Sequence, residues 1–117
     1  IEIMKITENT ESLKRNNDFR RLYRRGKNAV GGYTAVYVMK NRLGQNRLGL
    51  TVSKTVGKAT VRSRTKRLLR ECYRGVSDKL ASGYDFIFVA RSRAVGKSLD
   101  QLQRDLSYVL KKLEVIK

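Results

Sequence analysis

The chain has no histidine and no proline, a single cysteine, and only 10 acidic residues against 27 lysines and arginines. Without histidine the usual general base at neutral pH is missing, and Cys72 alone cannot form a Cys/His zinc site. One cysteine also excludes an intramolecular disulfide, which fits a reducing compartment. The acids are scattered singly among basic residues, where helix caps and ion pairs are their ordinary roles. We therefore expect neither a catalytic residue nor a metal ligand in this chain.

Long apolar runs are absent as well. No run approaches the roughly 18 residues that span a bilayer, and the first dozen residues, IEIMKITENTES, lack the continuous apolar core of a signal peptide. The segment VGKAT lacks the first glycine and the spacing of a nucleotide-binding P-loop. We expect a cytoplasmic protein without a membrane partner or a small-molecule substrate. Residues 1–12 are polar and acidic and are predicted to be a flexible lead-in to one domain over residues 13–117.

Positive charge is what the sequence has in abundance, with a formal net charge of +17 on 117 residues. Such a charge favours a polyanion as partner, although composition also fits a soluble basic protein or a membrane-surface protein. Seven basic residues lie between Lys14 and Lys27, and eight lie between Lys54 and Arg74. Arginine dominates both clusters, and its planar guanidinium binds phosphate oxygens in pairs and stacks on bases. This arginine content favours RNA over a membrane.

The first half of the chain predicts one helix and two strands. Residues 17–26, NDFRRLYRRG, have a capping residue, apolar positions at helical spacing and a terminal glycine. YTAVYVM at residues 33–39 and RLGLTVS at residues 47–53 alternate in the manner of strands, and NRLGQN between them contains a turn near Gly44. We expect these two strands to pair as an antiparallel hairpin.

The second half predicts a helix, a strand and a helix. From about Thr60 to Val76 the apolar residues share one side of a helix and the basic residues share the other. YDFIFVAR at residues 84–91 is apolar on both faces apart from Asp85, which is typical of a central strand. Ser98 and Gln101 form a capping-box pattern before a final amphipathic helix. The predicted class is α+β, a small mixed sheet packed with helices in the order α-β-β-α-β-α.

Aromatic side chains accompany the first basic cluster. Phe19 and Tyr23 lie on the apolar side of the first helix, and Tyr37 lies on one side of the first strand. Packing in the core explains such rings as well as any other role. Beside a basic helix, however, they would also form a platform on which unpaired bases stack, which indicates single-stranded RNA.

The segment VGKATVRSRTKRLLRECYR resembles the signature of bacterial ribonuclease P proteins, in which a G-x-A-x-x-R-x-R-x-K-R pattern begins a basic helix. LKRNNDFRRLYRRG and RLGLTVSK before the signature, and DFIFVARSRA after it, fit the same family, so the resemblance covers residues 13–113. Two positions depart from the pattern: Ser63 stands where the family usually has asparagine, and Lys58 where asparagine is frequent. A ribosomal protein or a general RNA chaperone suits the composition equally well, and only the signature argues against it.

The resemblance implies a subunit without an active site, bound to a catalytic RNA that uses Mg²⁺, held mainly by the RNA, to remove the 5′ leader of precursor tRNA. Its helix would join two parallel strands by a left-handed crossover, against the usual preference. The implied contacts fall into two groups. The residues implied to contact the catalytic RNA are Lys54, Lys58, Arg62, Ser63, Arg64, Lys66, Arg67 and Arg70. The residues implied to line a cleft for the leader are Phe19, Tyr23 and Tyr37.

Overall fold

The computed structural model describes residues 5–7 and 10–117, which form one mixed sheet with helices on both faces. The strands are β1 Lys5–Thr7, β2 Thr10–Ser12, β3 Lys27–Val30, β4 Thr34–Lys40, β5 Asn46–Thr51 and β6 Tyr84–Ala90. The helices are α1 Asn16–Arg25, α2 Ala59–Val76 and α3 Leu99–Lys112. The predicted α+β class is confirmed, and each of the six predicted elements is present within a few residues of its expected bounds.

The strands lie in the order β1-β2-β5-β6-β4-β3. β5 is parallel to both β2 and β6, whereas the β1/β2, β4/β6 and β3/β4 pairs are antiparallel. The predicted central position of β6 is confirmed, since this strand lies between β5 and β4. Its apolar side chains need cover on both faces of the sheet. α2 joins the parallel neighbours β5 and β6, as the crossover requires. The left hand of that crossover stays a prediction.

The predicted hairpin between the first two expected strands, β4 and β5, is wrong. β6 lies between them, with Ile87 opposite both Tyr37 of β4 and Gly49 of β5. Strands adjacent in sequence are usually neighbours in a sheet, but here the most apolar strand takes the central place, where it loses most water contact. The connection at residues 41–45 therefore passes the end of β6 instead of making a tight turn.

Residues 5–7 and 10–12 of the expected lead-in form strands, whereas its residues 1–4 and 8–9 lie outside the described part of the chain. The flexibility of this segment stays a prediction. Thr10 is buried, and its hydroxyl shares a hydrogen bond of 2.6 Å with that of Tyr73 on α2. The adjoining Leu13 N–H donates to the Leu48 carbonyl. Backbone pairing with the open edge of β5 does not need apolar side chains, so a polar segment can form this strand.

The two faces of the sheet carry different cores. α2 and α3 cover one face, where Val36, Phe86 and Phe88 are fully buried. α1 covers part of the other face through Leu22, which packs with Leu13 and Ile87. Tyr37, Met39 and Val89 on this face are only partly buried. The sheet thus has one closed face and one face that α1 leaves partly open.

Candidate nucleic-acid interface

Helix α2 buries one side and exposes the other, as the sequence predicts. Leu69, Cys72 and Val76 are buried, and so is Tyr73, which the helical pattern did not assign to the core. Burial raises the pKa of the Cys72 thiol to about 12, so this thiol stays protonated at neutral pH. Cys72 is therefore a packing residue, and the functional groups of α2 lie on its outer side.

The predicted catalytic-RNA contacts lie on that outer side and in the turn that leads to it. Lys54, Lys58, Ser63, Arg64, Lys66 and Arg67 are exposed, and Arg62 and Arg70 are partly buried. Within residues 5–7 and 10–117, none of these cations forms an ion pair. The only acid of α2, Glu71, is bound to Arg74. We call the eight predicted catalytic-RNA contacts, from Lys54 to Arg70, the α2 basic face.

The start of α2 adds an anion-binding feature to the α2 basic face. Lys58 caps the helix without a side-chain hydrogen bond, and no acid lies in the first turn. The free N–H groups and the positive end of the helix dipole therefore remain open to a ligand. Ala59, Thr60, Ser63, Arg64 and Arg67 line a groove of about 380 Å³ at this end. The structure thus brings Ser63, Arg64 and Arg67 together.

Two local details shape the same region. Gly57 connects the 3₁₀ turn Lys54–Val56 to α2. Its φ of 155° is a backbone conformation that residues other than glycine rarely adopt. The Nε of Arg62 is buried and has no hydrogen-bond partner among the described residues. A buried donor without an acceptor costs about 1–3 kcal/mol. This donor would gain a partner if the Arg62 side chain moved to bind a ligand.

The three predicted leader-binding aromatics meet on the partly open face. The ring centroids of Tyr23 and Tyr37 are 4.8 Å apart at 82°, and those of Phe19 and Tyr23 are 6.5 Å apart. Phe19 and Tyr37 are partly buried, while Tyr23 is 41% exposed. The Tyr23 and Thr51 hydroxyls share a hydrogen bond of 2.7 Å. We call this cluster of three rings the aromatic cleft.

Gly49 on β5 makes room for the aromatic cleft. A Cβ atom at this position would lie 2.5 Å from Cζ of Phe19, which is closer than carbon atoms pack. The absence of a side chain at Gly49 therefore lets the tip of the Phe19 ring pack against the backbone of β5. The alternating pattern of residues 47–53 predicts a strand here but does not predict this contact.

An ion-pair network holds α1 beside the aromatic cleft. Arg47 donates from Nε and Nη2 to the two carboxylate oxygens of Asp85 at 2.8 and 2.7 Å. Its Nη1 lies 3.5 Å from Asp18 of α1, which also accepts a 2.8 Å bond from Arg21. The bonds to Asp85 raise the pKa of Arg47, so its charge is secure. Sequence reasoning missed this network, although the lone acid Asp85 in an apolar strand indicated that a partner was needed.

The described residues contain no group of three or more carboxylates or cysteines placed to hold a metal ion. In the same residues, no helix is both long and apolar enough to cross a membrane.

The sequence matches the family model for Ribonuclease P over residues 7–114. It is 42% identical over 104 residues to the ribonuclease P protein component of Alkaliphilus oremlandii, covering 89% of this chain and 91% of that protein. It is 44% identical over 108 residues to the corresponding protein of Clostridium perfringens, covering 86% of each chain. These matches agree with the resemblance seen in the signature and not with a ribosomal protein or a general RNA chaperone.

Solved structures show the same likeness. The fold superposes on the RNase P protein of Staphylococcus aureus with a TM-score of 0.82 and 33% identity, covering 91% of this chain and 97% of that one. For the RNase P protein of Thermotoga maritima the TM-score is 0.79 at 28% identity, covering 87% and 96%. The arrangement of α2 and the aromatic cleft is thus set in a fold that these proteins share.

Proposed function

Since this chain belongs to the ribonuclease P protein family and is a protein component of the endoribonuclease that processes tRNA 5′ ends, we propose that its two surfaces bind different RNAs. The α2 basic face binds the catalytic RNA. The aromatic cleft binds the single-stranded 5′ leader of precursor tRNA. The protein thereby holds the leader near the cleavage site, while the catalytic groups and Mg²⁺ belong mainly to the RNA.

The observation that carries the first assignment is the unneutralised charge of the α2 basic face. Exposed cations on a helix are normally interspersed with acids, which contribute about 0.2–0.5 kcal/mol for each pair. Here Arg62, Arg64 and Arg67 have no acidic partner among the described residues. Phosphates would supply the missing negative charge, and they would also accept from the free N–H groups at the start of α2.

The assignment of the aromatic cleft rests on the exposed rings. Base stacking on an aromatic side chain is worth about 1–3 kcal/mol for each base and is available only to unpaired nucleotides. Tyr23 and Tyr37 together present such a surface, whereas Tyr73, Phe86 and Phe88 on the closed face are fully buried and cannot stack on a base. A leader extending from the paired acceptor stem of tRNA has the required single-stranded form.

The test combines the protein with a bacterial ribonuclease P RNA and a 5′-extended precursor tRNA at low Mg²⁺, and measures leader release. We expect the protein to accelerate release over the RNA alone. The double variant Arg64→Ala and Arg67→Ala should lose most of this stimulation, whereas Arg104→Ala with Lys111→Ala, which removes the same charge from α3, should keep it. Equal rates with and without the wild-type protein would contradict the proposal. The cytoplasmic location expected from the sequence stays a prediction.

A further inference from the structure

The outer surface of α1 carries a second group of arginines that the proposed function does not use. Asn17, Arg20, Arg21, Arg24 and Arg25 line a shallow groove of about 380 Å³ on this helix. The only acid of α1, Asp18, is turned inward and binds Arg21 and Arg47. Within the described part of the chain, Arg20 and Arg24 have no ion pair. This leaves two fully charged guanidinium groups on an exposed helix surface.

Stability of the helix does not explain this pair. Cations in the last turn of a helix interact favourably with its dipole, which accounts for Arg24 and Arg25. Arg20 lies one turn earlier, and like charges four residues apart destabilise a helix by a few tenths of a kcal/mol. The helix dipole therefore does not account for Arg20, and an anion lying between Arg20 and Arg24 would relieve their mutual repulsion.

The position of these arginines around α1 connects them to the aromatic cleft. At about 100° for each residue, Tyr23 lies between Phe19 on the sheet side and Arg20 on the outer side, and Arg24 follows Arg20. Tyr23 is itself exposed and stacks edge-on against Tyr37. An RNA strand that extends from the aromatic cleft past Tyr23 therefore reaches Arg20 and then Arg24. In contrast, α2 packs against the opposite face of the sheet.

We propose that Arg20 and Arg24 bind backbone phosphates of the leader upstream of the nucleotides held in the aromatic cleft. The inference rests on the proposed leader cleft and extends it to a longer segment of RNA. The chemistry suits this role, because guanidinium groups bind phosphate without reading the base and therefore accept a leader of any sequence.

The experiment measures equilibrium binding of non-cleavable precursor tRNAs to the assembled protein–RNA holoenzyme as a function of salt. One precursor has a leader of about five nucleotides, and a second has about five more, within the range of single-strand binding sites. The test variant combines Arg20→Gln with Arg24→Gln, because glutamine preserves helix propensity. Affinity for the long leader should fall on the order of tenfold, with a salt slope lower by about 1.4, at about 0.7 for each single-strand phosphate contact. Affinity for the short leader should not change.

The control variant combines Arg104→Gln with Lys111→Gln, which removes two charges from exposed positions of α3. It should bind both precursors as the wild type does. Equal losses on the short and long leaders, weaker binding of the test variant to the catalytic RNA alone, or no loss at all would each overturn the inference. Tyr37→Ala reports on the cleft separately, because it should weaken both leader-bearing precursors relative to mature tRNA. If Tyr37→Ala leaves precursor affinity unchanged while the arginine variant loses affinity only for the long leader, leader binding in the aromatic cleft is refuted. The contact between the arginines and the leader is then supported independently.

Discussion

The closed and open faces of the sheet differ in the kind of surface that they offer to a ligand. On the closed face, α2 and α3 bury Val36, Phe86 and Phe88 completely, and the outer side of α2 is charged. On the open face, α1 covers less of the sheet and leaves aromatic rings within reach of solvent. The proposed phosphate-binding surface therefore lies where burial is more complete, and the proposed base-binding surface lies where burial is less complete. The difference follows from how much apolar surface each helix can cover.

The two faces are also held together differently. α2 is fixed by apolar packing of Leu69, Cys72 and Tyr73, each fully buried. α1 has Leu22 in the core but depends in addition on the Arg47 network with Asp85 and Asp18. Charged groups are specific in geometry, so the network orients α1 and the rings that it carries. This comparison leads to four predictions.

The largest effect is expected for Asp85→Ala, which leaves Arg47 half-buried without its main partner. Breaking such a buried pair costs about 3–5 kcal/mol in the free energy of unfolding, measured by urea denaturation. Asp100→Ala is the matched control, because it removes a carboxylate from an exposed pair with Arg104 on α3 and should cost at most about 1 kcal/mol. Similar losses for both variants would show that the network does not hold α1.

Tyr37→Ala should weaken binding of leader-bearing precursor tRNA by about 1–3 kcal/mol and leave mature tRNA unaffected, because one stacked base is lost. The measurement is a pair of equilibrium titrations of the holoenzyme. Tyr108→Ala, at a tyrosine 57% exposed on α3, controls for loss of a surface ring. A parallel loss for mature tRNA would instead indicate damage to the fold.

Arg67→Ala should lower the slope of log affinity against log salt for the catalytic RNA by about one, because one phosphate contact fewer releases about one counterion fewer. Arg64→Ala should do the same. Arg104→Ala serves as the control, since that arginine lies on α3 and is paired with Asp100. An unchanged slope for both α2 variants would rule out phosphate contact at these positions.

The smallest effect at working pH concerns the buried thiol of the closed face. The pKa of Cys72 is raised from 9.0 to about 12 by burial, so the folded state holds this proton more tightly than the unfolded state. Stability should therefore be unaffected below about pH 9 and fall between pH 9 and 12, by at most about 1.4 kcal/mol for each pH unit. Burial raises the pKa of Tyr73 as well and adds to this loss.

Urea denaturation at a series of alkaline pH values checks this prediction, with Cys72→Ala as the comparison. The variant should be less stable at pH 7 because of the cavity, but its stability should decline less steeply above pH 9. Identical pH profiles for the variant and the wild type would mean that Cys72 does not titrate differently on folding. Thiol reagents should also leave the folded protein unmodified at pH 8.

The candidate site was predicted from sequence where its residues are close in the chain. The α2 basic face follows from spacings of three or four residues along one helix. Its role in RNA binding stays a prediction. Gly49, Arg47 and the outer arginines of α1 were not assigned, because their significance depends on contacts with distant segments.

The sequence by itself determined the three helices, the strands β4, β5 and β6, their apolar and charged sides and the family, since helical and strand periodicity and a signature motif are local properties. Only the tertiary structure decided that β6 separates β4 from β5, that Thr10 pairs with Tyr73, and that Phe19 lies over Gly49. The physical reason is that strands pair through backbone hydrogen bonds, which are nearly the same for every residue. The sequence therefore does not indicate which strands pair. Which of two similar apolar surfaces is left open is decided only when all the helices pack together.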